Sequence, residues 1–382
     1  MNTVMQQRVR LRDAKRVVVK IGSRVLVQRN GRPDLRRLRE LTRDLARLQR
    51  QGVEVVVVSS GAVGAGMQAL SMPTRPKEIT DLQMAAAVGQ SRLMALYDKL
   101  FAAERLRIGQ VLLTHDDLKD RRRHLNARTT LLNLLGHFII PIINENDVVS
   151  VEELKFGDND VLAALVSLLI HADLLVLLTT VDGLRAPAGA GRTRRVACLN
   201  GLTPATLALA QGKGSELSTG GMASKLRAAD MVAHVGTAVV IANGRMPQIV
   251  SRIRAGADVG TLIQPAHRPP GETGGAFKRW LAYFQKAEGV LKIDDGARAA
   301  LEKKGGSLLP IGLLAVEGRF DDGAVVDIRA PDGGLVARGL SEYSSKDLLI
   351  IRGHRSSEVS ALLGVDGPAE VVHRDKLVLI RS

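Results

Sequence analysis

The sequence predicts an α/β fold: a three-layer sandwich on a mostly parallel sheet, followed by a small β-rich domain. Three observations carry this. Through residue 265, strand-like and helix-like segments alternate, the order that gives a parallel sheet with helices on both faces. The strand-like segments are continuous β-branched or leucine-rich runs, the mark of strands buried on both sides. The composition then changes: Pro265, Pro269, Pro270, Gly271, Gly274 and Gly275 crowd eleven residues, which reads as a linker.

Val17-Val18-Val19-Lys20-Ile21 is a short buried strand that meets a turn at Gly22. A helix over 34–50 follows, with Leu35, Leu38, Leu41, Leu45 and Leu48 on one face. The seven arginines from Arg32 to Arg50 read as its solvated side rather than as a nucleic-acid surface. Val53 to Val58 is a second strand, closed by Ser59-Ser60-Gly61. Beyond it the pattern gives a helix at 80–104, a strand at 108–113, a helix near 120–136 and a strand at 138–143. A buried helix over 161–170 comes next, then a strand at 174–178, a helix at 222–235 and a strand at 237–241. The domain boundaries expected are 1–265, a linker at 266–284, and 285–382. In the last segment glycines recur every few residues, a helix is expected near 295–303, and Phe320-Asp321-Asp322-Gly323 and Ala330-Pro331-Asp332-Gly333 read as hairpin turns.

The chain has 382 residues, with 45 % apolar and 24 % charged, which excludes wholesale disorder. Lysine and arginine number 54 against 39 acids, a formal charge of +15, so anionic partners are favoured. Aromatic residues are only 3 %, too few for a stacking platform for single-stranded nucleic acid. A single cysteine, Cys198, excludes an intrachain disulfide and a multi-cysteine metal site, and no histidines pair at metal-ligand spacing. Residues 1–16 are basic but lack the apolar stretch of an export signal. Val161 to Leu178 approaches the length of a membrane span, but His171 and Asp173 interrupt it. It reads better as a buried helix, capped by Asp160, and a buried strand. A soluble cytoplasmic protein is expected.

Active sites of such sheets gather where the strands end at their carboxyl side, so the loops there matter most. Lys20 closes the first strand. A lysine between buried valines needs an anion, unless its stem reaches solvent at the sheet end. Ser59 to Gly66, SSGAVGAG, follows the second strand; its small residues either let backbone N–H groups approach an anion or let a helix pack closely. Asn144-Glu145-Asn146-Asp147 follows the strand at 138–143, and Gly157-Asp158-Asn159-Asp160 opens the buried helix. Capping accounts for Asp160 and for Asn159. It does not account for the four groups at 144–147, which suit an ammonium ligand or the aiming of lysines. Ser218-Thr219-Gly220-Gly221-Met222-Ala223-Ser224-Lys225 leads into a helix. Lysine in a first turn opposes the helix dipole, so Lys225 reads as a phosphate ligand. Two lysines and two glycine-rich turns, with no nucleophile or metal cluster, suit phosphoryl transfer run by positioning and charge neutralisation.

These motifs resemble the amino acid kinase family. The stretches that carry the resemblance are VVVKIGS at 17–23, SSGAVGAG at 59–66, AAVGQSRLM at 86–94, INEND at 143–147, KFGDND at 155–160 and STGGMASKL at 218–226. The tail, from KAEGVLKIDDGA at 286–297 to GHRSSEV at 353–359, is similar to a PUA domain. The resemblance implies an ATP-dependent kinase that phosphorylates the side-chain carboxylate of L-glutamate, as the first step of proline biosynthesis. It implies that Lys20 and Lys225 stabilise the transferring group and that Asp158 holds both lysines. Ser60, Asp147 and Asn159 would bind glutamate. Lys20, Thr179, Thr180, Thr219, Gly220, Gly221, Met222, Ala223, Ser224 and Lys225 would contact ATP. Mg²⁺ would be held mainly by phosphate oxygens. Proline is implied as feedback inhibitor, and a homo-oligomer is expected. The pattern departs from the family at Thr179-Thr180, where Thr-Asp is usual, with Asp182 two residues on. A basic N-terminal stretch has no counterpart. An aspartate-phosphorylating relative would carry two ferredoxin-like units in place of this tail. RNA binding by the tail is the weaker alternative, because the tail also carries Asp294, Asp295, Glu317, Asp321, Asp322 and Asp327.

Overall fold

A computed structural model of the full chain describes residues 3–27, 34–114, 117–118, 120–149, 159–189, 191–211, 221–234, 236–265, 287–364 and 367–380. The chain divides into two compact units, Met1–Pro269 and Pro270–Ser382. The expected linker, 266–284, lies outside the described residues.

The first unit begins with a short helix, α1 (Thr3–Val9). Strand β1 (Arg16–Ile21) leads to α2 (Leu35–Arg50), and β2 (Glu54–Ser59) leads to α3 (Ala62–Ala69) and the long α4 (Ile79–Ala102). Then come β3 (Ile108–Leu113), α5 (Arg121–Gly136), β4 (Ile140–Glu145), α6 (Asn159–Ile170) and β5 (Leu174–Thr179). A small hairpin, β6 (Arg185–Pro187) and β7 (Thr193–Arg195), precedes β8 (Cys198–Leu199). Helix α7 (Met222–Ala233), β9 (Ala238–Asn243), α8 (Ile249–Arg254) and β10 (Thr261–Ile263) complete the unit. The main sheet has the order β3-β4-β2-β1-β5-β9-β10-β8. Six strands from β3 to β9 are parallel, β10 runs antiparallel to β9, and β8 is parallel to β10.

Alternation along the strands assigns each residue to a face. Val17, Val19 and Ile21 join Val55, Val57, Ile142, Val176 and Leu178 in the core that Leu38, Leu41, Leu45 and Leu48 of α2 cover. Val18 and Lys20 therefore point to the opposite face. There α6 packs against β1, β2, β4 and β5, and α7 packs against α6. Every described residue of α6 except Val161 is buried, which explains why its sequence is apolar all round. On α2, Arg36, Arg39, Arg43, Arg47 and Arg50 are exposed, as a solvated face requires; Leu35, at the first position, is also half-exposed rather than part of the apolar face. Among the described residues no helix is long and apolar enough to cross a membrane.

The basic N-terminal stretch finds its place through Arg8, which is 1 % exposed. Its guanidinium donates to the carbonyls of Ala197 at 2.6 Å, Ala257 at 3.0 Å, Val259 at 2.8 Å and Gly260 at 2.9 Å, and pairs with Asp258 at 3.3 Å. The planar fork satisfies backbone acceptors at the β8–β10 edge that no strand covers.

The second unit is a five-stranded sheet in the order β12-β11-β13-β14-β15. The strands are β11 (Gly289–Ile293), β12 (Leu313–Glu317), β13 (Val325–Arg329), β14 (Leu335–Leu340) and β15 (Leu377–Leu379), with helix α9 (Asp295–Lys304) after β11. It has its own core, including Leu291, Ile293, Val326, Ile328 and Leu348. The turn at 330–333 does join a hairpin, because β13 and β14 pair antiparallel. The turn at 320–323 does not: β11 lies between β12 and β13, antiparallel to one and parallel to the other. A turn sequence fixes the local bend and not the partner of the strand that follows.

Candidate active site

The site lies at the carboxyl rim of the parallel strands. The register brings Ile21 beside Ser59 and Thr179 beside Asn243, so the loops after β1, β2, β4 and β5 open onto one edge. Lys20 stands one residue inside that rim and is 6 % exposed. Its Nζ lies 2.6 Å from Asp160 Oδ1. Lys225 reaches the same carboxylate from α7, with Nζ 2.9 Å from Oδ2, and is 5 % exposed. Ser224 Oγ donates to Oδ2 at 3.3 Å. Asp160 itself is fully buried. Burial alone would push its carboxyl up, but the charges of Lys20 and Lys225 and the bonds they donate outweigh it and hold the group below the usual carboxylate range.

This corrects the expectation that Asp160 caps the helix. Helix α6 begins at Asn159, so Asp160 lies inside its first turn, where its carboxylate serves the lysines. Asp158, the residue implied for holding both lysines, lies outside the described residues; among those described, that carboxylate is Asp160. An aspartate in a wholly buried helix requires a cation, and that was the available signal. Lys225 is not an exposed first-turn lysine: the packing of α7 on α6 brings it inside.

Two ammonium groups converge on one buried carboxylate, a concentration of cationic donors at the strand ends that suits an anion. The cluster is fixed in advance, since both lysines are already oriented. Such an arrangement can neutralise charge on a transferring phosphoryl group without rearranging.

The glycine-rich turn serves packing and binding together. Gly61 has φ +112° and starts α3 in a conformation costly for other residues. Gly66 allows the close approach of α3 to α4, since a Cβ there would lie 1.7 Å from the carbonyl oxygen of Ala85. Ser60 Oγ accepts from Asn159 Nδ2 at 2.8 Å, and the same nitrogen donates to Ser59 O at 3.0 Å and Asn144 Oδ1 at 3.1 Å. Ser59 Oγ lies 2.9 Å from Tyr97 Oη. Burial pushes the Tyr97 phenol up to about 12, against the opposing pull of the Ser59 bond, so it is a neutral anchor for the turn. Tyr97 is a member of the site region that the sequence did not single out.

The structure thus brings Lys20, Lys225, Asp160, Ser224, Ser60, Asn159 and Asn144 together. Thr179 ends the neighbouring strand β5 and Thr180 is exposed beyond it. Asp182, two residues further on, pairs with Arg185 at 2.8 Å. Asp147 is half-buried in the turn after β4. Gly221 is the N-cap of α7, with Met222 and Ala223 half-buried in its first turn. Thr219 and Gly220 lie outside the described residues. Among the described residues no group of three or more His, Cys, Asp or Glu could hold a metal ion, and both oxygens of Asp160 are engaged by lysines.

Residues 15–243 match the sequence profile of the amino acid kinase family, and residues 289–363 match that of the PUA domain. The chain is 48 % identical over 372 residues to the glutamate 5-kinase of Citrifermentans bemidjiense, spanning 97 % of this chain and 99 % of that protein. It is 44 % identical over 385 residues to the glutamate 5-kinase of Myxococcus xanthus, spanning 100 % of both. The glutamate 5-kinase of Moorella thermoacetica is 42 % identical over 381 residues, with 99 % of this chain and 100 % of that protein covered.

Proposed function

The chain belongs to the amino acid kinase family, and from that premise we propose that it is an enzyme transferring the γ-phosphoryl group of ATP to the side-chain carboxylate of L-glutamate. The products are L-glutamate 5-phosphate and ADP, and the reaction is the first step of proline biosynthesis. The observation that carries the reading is the buried Lys20–Asp160–Lys225 cluster at the strand ends. The full-length similarity to glutamate 5-kinases supports the choice of substrate.

The chemistry asks little of the protein beyond placement. A glutamate carboxyl group is ionised at neutral pH, so the nucleophile needs no general base. One carboxylate oxygen bonds to the γ-phosphorus as the bond from that phosphorus to the β–γ bridging oxygen breaks, and the electron pair leaves on ADP. Lys20 and Lys225 stabilise the negative charge spread over the transferring oxygens. Asp160 holds both lysines in place. Ser60, Asn159 and Asp147 bind glutamate, with Asp147 offering its carboxylate to the ammonium. Thr179, Thr180 and residues 219–225 contact ATP. The residues described suit a divalent ion carried on the nucleotide rather than one caged by side chains. We take it to be Mg²⁺, which supplies charge neutralisation on the phosphates and is commonly bound through phosphate oxygens.

The direct test is purified protein with ATP and Mg²⁺ and either L-glutamate or L-aspartate. ADP release and an acyl phosphate trapped by hydroxylamine are expected with glutamate alone; ADP release with aspartate and not glutamate would refute the substrate. Proline, sharing the amino-acid head group but lacking the side-chain carboxylate, is proposed to inhibit by competing with glutamate. A cytoplasmic location and a homo-oligomeric state belong to the same proposal. The second unit is taken as a regulatory or packing module in preference to an RNA-binding one.

A further inference from the structure

Three carboxamides form a chain behind the glycine-rich turn. Asn159 Nδ2 donates to Ser59 O, Ser60 Oγ and Asn144 Oδ1. Asn144 Nδ2 donates in turn to Gln90 Oε1 at 2.8 Å. The two ends of a carboxamide are nearly equal in shape and opposite in hydrogen-bonding sense, so a chain of them can run in either direction unless something fixes it. Here the Ser59 carbonyl fixes it. A backbone carbonyl only accepts, so Asn159 must present Nδ2 to it. Asn144 must then offer Oδ1 to Asn159, which turns Asn144 Nδ2 toward Gln90 and leaves Gln90 Nε2 as the outer end.

Two atoms of this chain are buried and have no hydrogen-bond partner among the described residues: Asn159 Oδ1 and Gln90 Nε2. Unpaired buried polar atoms are rare in native interiors and call for a partner, an ordered water or a ligand. The two have opposite sense, one an acceptor and the other a donor. An α-amino acid carries the complement on one carbon, an ammonium that donates and a carboxylate that accepts. The chain also has a near and a far end. Asn159 adjoins Asp160, which holds the lysines, and Gln90 is two carboxamides further on. The carboxylate to be phosphorylated must lie at the lysines, so the far end is left for the other one.

We propose that Gln90 is a further substrate-binding residue, whose Nε2 donates to the α-carboxylate of the amino acid while Asn159 Oδ1 accepts from its ammonium. The proposal rests on the reading of the site as that of a glutamate kinase. It adds a specificity element: the polarity of three side chains, set by one backbone carbonyl, selects a zwitterionic head group.

The test uses the full chain and two variants. Gln90→Glu keeps an acceptor oxygen for Asn144 but replaces the outer donor with a charged acceptor; Gln90→Met removes both. Turnover is measured with glutamate varied at saturating ATP and with ATP varied at saturating glutamate, and thermal midpoints are recorded. Losing a hydrogen bond to a charged group corresponds to roughly 10- to 100-fold in affinity. Gln90→Glu should raise the glutamate KM by about that factor, leave the ATP KM within about twofold, and keep the wild-type midpoint within about 2 °C. If Gln90→Glu does not fold, the same split between the two KM values in Gln90→Met decides. A glutamate KM within about twofold of wild type, or equal rises for both substrates, would overturn the proposal. Wild-type protein that releases no ADP with glutamate would instead remove the reading beneath it, and that is measured first.

Discussion

Replacing Asp160 by Asn tests whether one carboxylate sustains both the fold and the chemistry of the site. The change keeps shape and one acceptor oxygen but removes the charge that faces Lys20 at 2.6 Å and Lys225 at 2.9 Å. Asp160 is fully buried and both lysines nearly so, which places the loss in the class of buried pairs broken from one side. That costs about 3–5 kcal/mol, because each ammonium loses the buried charge it faces. In a unit of this size each kcal/mol moves the midpoint by roughly 2–4 °C, so Asp160→Asn should melt roughly 6–20 °C lower. The pH dependence should also change. Because the folded Asp160 carboxyl titrates below its ordinary value, its contribution is complete above the unfolded value and is lost as pH falls through the folded one. The variant should lack that part of the acid sensitivity. Turnover should fall by roughly 10²–10³, the cost of misplacing a charge-stabilising donor. Melting followed by circular dichroism from acid to alkaline pH, together with ADP release, checks all three. A midpoint within about 2 °C of wild type, with more than a third of its turnover, would refute the assignment of Asp160 as the common anchor.

Lys225→Met should lower turnover by roughly 10²–10³ in a chain that still folds, and Lys20→Met should do the same; ADP release from protein with a native circular dichroism spectrum checks both. Asp147→Ala should raise the KM for glutamate much more than that for ATP, since a charge-assisted hydrogen bond is worth about 1.5–3 kcal/mol; equal effects would make the 144–147 loop structural. Residues 1–269 should fold alone and keep kcat within a few-fold, because the two units have separate cores; insoluble or inactive protein would make the second unit part of the catalytic fold.

What the sequence makes legible follows from how local each signal is. The six parallel strands are legible because burial on both faces demands runs such as Val55 to Val58. Helix α3 is hidden in SSGAVGAG, where glycine suits a phosphate cradle as well as it suits the close packing against Ala85 that Gly66 makes. Lys20 and Lys225 stand out because each is a charge in an apolar or electrostatically unfavourable setting. Their common partner is less legible: nothing in the motif that ends at Asp160 says that its carboxylate turns toward both lysines. Gln90 and Tyr97 sit in a long helix of ordinary amphipathic appearance, and their role arises from contacts with Asn144 and Ser59 far along the chain. In the second unit, the turn at 320–323 misleads because pairing of β11 with β13 is parallel and non-local.

The clamp made by Arg8 has a consequence for how the chain is made. Its acceptor at Gly260 is 252 positions later in the sequence. At about 5–20 residues per second, a ribosome needs roughly 12–50 s to reach it. For about the first three-quarters of that interval Arg8 has none of the carbonyls that hold it, and Ala197 then offers the first of four, while β1 must also wait for β5 to complete its second edge. Arg8 is thus made early and fastened late. A chain interrupted before residue 260 does not simply end with a shorter sheet: it leaves the clamp at Arg8 incomplete.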